Sequence, residues 1–173
     1  MRKLLLAFSF ICLSILSFAG TFTPGNIVIV RVGTGSTTLS NASTAVFLDE
    51  YTVTGTLVQS IALPAARSTL NHALTLSGSA ATEGELSLSP NGLYLTMAGF
   101  DTVPGYAGVS SGVTNRTIAR ISASGTVNTT TGFIAGSAFV AGNFRSAVTN
   151  DGNEFWAAGS GGATEAVKFA DWR

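Results

Sequence analysis

Glu85-Leu86-Ser87-Leu88-Ser89-Pro90-Asn91-Gly92-Leu93-Tyr94-Leu95-Thr96-Met97-Ala98-Gly99 reads as one β-hairpin. Leu86 and Leu88 alternate with serines on the first arm, and Leu93, Leu95 and Met97 alternate with Tyr94, Thr96 and Ala98 on the second. A period of two on both sides of Asn91-Gly92 is the pattern of paired strands around a tight turn, where glycine supplies the positive φ that the turn requires. The same grammar returns at Arg145-Ser146-Ala147-Val148-Thr149-Asn150-Asp151-Gly152, followed by Asn153-Glu154-Phe155-Trp156-Ala157-Ala158-Gly159. A second hairpin type alternates with the first. It runs from Phe47 to Val58 around Thr54-Gly55 and recurs loosely from Thr117 to Asn128 around Ser124-Gly125.

Corresponding turn glycines recur about 60 to 70 residues apart, so one repeat unit holds roughly four strands plus long connections. The connections are 65–82, 102–115 and 134–143, and no sustained 3.6-residue apolar period interrupts them. Asn26-Ile27-Val28-Ile29-Val30-Arg31-Val32 adds a nearly continuous β-branched run, which predicts a strand covered on both faces. The expected class is all-β, with antiparallel four-stranded blades of a β-propeller. The blade segments are about 26–64, 84–133 and 144–173. A β-sandwich, also built of many short strands, is the alternative. Two to three blades are too few to close a ring, which predicts either a truncated product or self-association through open blade edges.

The chain opens with an export signal. Arg2 and Lys3 precede an apolar stretch from Leu4 to Phe18, and Ser17-Phe18-Ala19 offers small residues for cleavage after Ala19. The stretch is shorter than the roughly 20 residues that span a bilayer, so no stable membrane anchor is expected. The reading is a signal peptide at 1–19 and a secreted or periplasmic mature chain at 20–173. Cys12 is the only cysteine and lies in the leader, so the mature chain has neither disulfides nor thiolate ligands. Losing Arg2 and Lys3 leaves seven of nine basic residues against nine acidic ones, a net of −2 with no basic block. Nucleic-acid binding through counterion release is thereby disfavoured. The Thr-, Ser- and Gly-rich composition suits a bacterial exported protein.

Ser89-Pro90-Asn91-Gly92-Leu93-Tyr94-Leu95, followed by Arg120-Ile121-Ser122-Ala123-Ser124-Gly125-Thr126-Val127, resembles the blade repeats of exported bacterial YVTN- and NHL-type β-propellers. It departs from them in its long inter-strand loops and in Asn91, where aspartate is usual. The resemblance covers one blade clearly and the rest weakly. It implies a fold and export, and leaves activity open, because propellers host both ligand binding and hydrolase, lyase or oxidoreductase chemistry.

Residues with chemical potential are few, and each has a plainer role. His72 is the only histidine and reads as a polar loop residue, with no second histidine for a metal site. Asp49 and Glu50 are adjacent on an expected strand, so they face opposite ways and read as solvated charges. Glu83 and Glu85 share a face but are too few oxygens for calcium. Asn150-Asp151-Gly152-Asn153-Glu154 lacks the closing glutamate of a calcium loop and reads as a hairpin turn. Tyr94, Phe155, Trp156 and Trp172 read as packing aromatics before ligand platforms. Gly159-Ser160-Gly161-Gly162 has neither the lysine nor the following helix of a phosphate cradle.

No catalytic, cofactor-binding or metal residue is therefore assigned. The expected function is a secreted, non-catalytic propeller module that binds an extracellular ligand such as a glycan, a peptide or a surface component. The alternative is the N-terminal part of an extracellular hydrolase or lyase whose site lies in further blades. A third reading, a degraded fragment, predicts the loss of a cooperative melt.

Overall fold

A computed structural model describes residues 20–161 and 167–171. The expected leader at 1–19 and Trp172 lie outside the described residues. Eleven strands and no helix occur among the described residues, and every strand pair is antiparallel.

β1 (Ile27–Val32) and β3 (Leu57–Ala62) flank the C-terminal part of β2 (Ser43–Tyr51). β5 (Ser87–Leu88), β6 (Tyr94–Phe100), β7 (Arg116–Ser122) and β8 (Val127–Phe133) form a meander in chain order. β9 (Phe144–Thr149), β10 (Glu154–Gly159) and β11 (Val167–Asp171) make a separate three-stranded sheet. β4 (Thr75–Ser77) bridges the first two groups. It pairs with Ser43–Ala45 at the start of β2, and its Thr75 meets Phe100 of β6, so strands β1 to β8 form one eight-stranded sheet.

Alternation along β6 and β7 divides the core in two. Leu95, Met97, Ala119 and Ile121 point towards β1–β3 and pack with Val46, Leu48, Ile61 and Leu76. Ala98, Phe100 and Ile118 point the other way and pack with Phe144, Ala147, Phe155 and Ala157 of the third sheet. The contact is also polar, since the buried Thr96 hydroxyl donates to the Ala147 carbonyl at 2.7 Å. The β5–β8 meander is thus a middle layer covered on both faces.

The repeated turns share their hydrogen bonds. Thr52 N–H donates to Thr56 O and Gly55 N–H to Thr52 O; Ser122 N–H donates to Thr126 O and Gly125 N–H to Ser122 O. In the other pair, Leu93 N–H donates to Asn91 Oδ1 at 3.0 Å and Asn153 N–H to Asp151 Oδ1 at 2.9 Å. Gly92 and Gly152 both have positive φ, 71° and 90°.

Two expectations about strands are corrected. β1 is not covered on both faces, because Ile27 and Ile29 are 52% and 45% exposed and among the described residues the strand pairs only with β2. Its β-branched residues suit an edge strand equally well. Residues 65–82 are not only a connection, since β4 lies inside them with all three residues buried. Three residues are too short for an alternation to declare itself.

Candidate ligand-binding cleft

An open cleft of about 460 Å³ lies at one end of the eight-stranded sheet. One wall is the N-terminal segment, with Phe22, Pro24 and Val28; the other is the β5–β6 hairpin, with Leu88, Leu93 and Leu95. Leu88 and Leu93 are more than half exposed, and no lining residue carries a charge. Among the described residues β5 is paired with β6 alone.

The N-terminal wall is fixed by Glu50. This carboxylate is fully buried and accepts bonds from Thr23 N–H at 2.8 Å, Asn26 Nδ2 at 2.7 Å and Gln59 Nε2 at 2.6 Å. Burial pushes the group up, but those three donors outweigh it and hold it below its ordinary value. Phe22 N–H then donates to Ala123 O, which ties the segment across to the β7–β8 turn. Thr23 N–H, Asn26 Nδ2 and Phe22 N–H are thereby engaged beside the apolar Phe22, Pro24 and Val28 of the wall.

Asp49, next in the chain, points to the opposite face and is 2% exposed. Arg31 donates to it through Nε at 2.6 Å and through a terminal nitrogen at 3.2 Å, and Ser60 Oγ lies at 2.5 Å. Burial raises Asp49, and the Arg31 and Ser60 bonds reverse the sign and lower it. The alternation expected for this pair holds, but the expectation of solvated charges does not. Partners from β1 and β3, distant in sequence, supply what water would otherwise supply.

Other titratable clusters are bound up in holding loops. Asp101 takes a two-pronged contact from Arg67, with further bonds from Ala73 N–H and Asn115 Nδ2 at 3.1 Å each. His72 Nδ1 lies 3.4 Å from Asp101 Oδ2 and makes no hydrogen bond there. Glu83 accepts from Ser77 N–H at 2.9 Å and Ser110 Oγ at 2.7 Å; burial raises it beyond what those bonds offset. Glu85 is not brought to it by any hydrogen bond among the described residues. Among the described residues no three His, Cys, Asp or Glu side chains converge as a metal site.

The aromatic residues separate by side. Phe155 is fully buried in the core, and Tyr94 lines the cleft with the Arg120 guanidinium 5.0 Å from its ring centroid. Trp156 is 39% exposed on the outer face of β10. Sequence reasoning did not find the cleft, because its walls come from segments some 60 to 100 residues apart. The exposed leucines around Asn91-Gly92 were its only trace. Comparison with protein-family models, curated proteins and solved structures finds no match to this chain.

Proposed function

We propose that this chain is an exported, non-catalytic binding module built of propeller-type sheets, and that its ligand is an apolar segment of extended peptide. The observation that carries this reading is the uncharged, leucine-rimmed cleft beside a strand paired on one side only. A peptide added along β5 gains main-chain hydrogen bonds from the free edge, while alternate side chains enter the cleft. Sugars and phosphorylated ligands suit it less, because carboxylates, amides and cations are what orient them, and Asn26 alone of the lining supplies any of these. Asn26 is in any case already bonded to Glu50.

The recurring turns, and the packing of both faces of the β5–β8 meander, support the propeller architecture over a two-layer sandwich. A hydrolase or lyase reading would start from His72 and Asp101. Asp101, however, is engaged by Arg67, Ala73 and Asn115, in the manner of a loop anchor.

Isothermal titration with an extended peptide of alternating valine and threonine tests the reading, with a neutral oligosaccharide as the comparison. Saturable binding of the peptide is expected, weakened about tenfold or more by Leu88→Asp, an exposed position whose change leaves the core untouched. Binding of the sugar alone, or of neither, overturns it.

A further inference from the structure

Gly20, the first residue after the expected cleavage site, is held at both of its backbone groups by one side chain. Its N–H donates to Gln59 Oε1 at 2.8 Å, and its carbonyl accepts from Gln59 Nε2 at 3.2 Å. The same Nε2 donates to Glu50 Oε2 at 2.6 Å. An ionised carboxylate only accepts, so this bond fixes the amide with its oxygen towards the Gly20 nitrogen. The approach is close, since a methyl group on Gly20 would stand 3.3 Å from Gln59 Oε1.

Glu50 brings a buried charge to this contact. Its bonds come from Thr23, Asn26 and Gln59, all neutral donors. The ion pairs among the described residues belong to Asp49 and Asp101 instead. Asp49 faces the other side of β2 and is matched by Arg31, so Glu50 is the acid that Gln59 links to Gly20. A buried carboxylate bonded only to neutral groups still gains from a cation within its reach.

We infer that Gly20 becomes the N-terminus of the mature chain and that Gln59 and Glu50 are its receptor, locking the N-terminal wall of the cleft once the leader is removed. The inference rests on the export reading above. Cleavage by a signal peptidase breaks the bond between the Ala19 carbonyl carbon and the Gly20 nitrogen and adds water. The leader departs with a carboxylate on Ala19, and Gly20 keeps an ammonium. Before cleavage that nitrogen is a neutral amide whose single hydrogen is already given to Gln59. Afterwards it carries three hydrogens and a full charge, which makes the bond to Gln59 charge-assisted. The amide is already aligned for it, with oxygen towards the cation and nitrogen towards Glu50. Phe22 and Thr23, two and three residues on, are tied to Ala123 and Glu50 and line the cleft, so the lock acts on that wall directly.

N-terminal sequencing of the exported protein tests the processing step, and the expected first residue is Gly20. Titration of the Gly20 amine by NMR tests the receptor. A cation facing a carboxylate holds its proton longer, so the amine is expected to titrate above the range of about 7.7–8.0 of a free chain end. Glu50→Gln is expected to return it to that range, with circular dichroism to check folding. Acetylation of the native amine, which is exposed to the reagent, needs no substitution. It is expected to lower the melting temperature by about 2 °C or more at pH 6.5. A raised pKa gives stability that is present below the unfolded value and lost as pH rises through the folded one, so the difference closes in alkali. A chain that starts at Gly20 but whose amine titrates as a free end overturns the capture and leaves export standing. So does an acetylation cost that is absent or independent of pH, or an amine unchanged by Glu50→Gln. A mature chain that starts at another residue overturns the inference at the processing step itself.

Discussion

Gly92 and Gly152 occupy equivalent turns with positive φ, yet their surroundings differ. A methyl group at Gly92 meets nothing within 4 Å, whereas at Gly152 it meets the Tyr94 ring at 2.5 Å. Arg120 closes the same corner by donating to the Gly152 carbonyl at 2.6 Å. Gly92→Ala is therefore expected to cost only the backbone term, about 1–2 kcal/mol. Gly152→Ala adds displacement of a packed ring, for a total of about 2–4 kcal/mol. Urea titration of both variants checks the ordering; equal losses would show that the Tyr94 contact is slack. The turn glycines themselves were legible, because positive φ imposes a residue type. That Gly152 also serves as the floor beneath Tyr94 was not, since the two lie in separate hairpins and only the packing of sheets joins them.

Strands and turns that carry their own pattern stood out in the sequence, and those defined by distant partners did not. The β5–β6, β7–β8 and β9–β10 hairpins were readable because alternation and turn chemistry are local. β4 and the change of partners along β2 were not: β2 pairs with β4 through Ser43–Ala45 and with β1 and β3 beyond, a division no local rule announces. The N-terminal segment is held in the same non-local way by Glu50, which allows a prediction. Because its folded pKa is lowered, its stabilisation is complete above the ordinary glutamate range, about pH 5 and upward. It is lost as pH falls through that range towards the folded value. Glu50→Gln forfeits charge-assisted bonds and turns an amide towards Gln59 Nε2, for a loss of about 1.5–3 kcal/mol at pH 7. Thermal melts from pH 7 down to pH 3 are expected to show the gap between variant and native narrowing as the native carboxylate is protonated. A gap unchanged with pH would assign the effect to shape and not to charge.

At the scale of the whole molecule, both core clusters belong to the same middle layer. Met97 and Ala98 are consecutive on β6, and one looks into each cluster. Removing cover from either face exposes the apolar side of strands whose other face is still packed, so neither outer sheet has an independent reason to persist when the meander opens. One cooperative transition is the consequence. Leu48→Ala empties volume in the cluster beneath β1–β3, at about 2–5 kcal/mol. Phe144→Ala does so beneath β9–β11, where Phe144 packs 4.9 Å from Phe139 and 6.1 Å from Phe133 between ring centroids, at about 3–5 kcal/mol. Each variant is expected to move a single calorimetric transition of the whole chain. A transition that splits in Phe144→Ala, leaving a portion at the native temperature, would show the β9–β11 sheet to be an appendage.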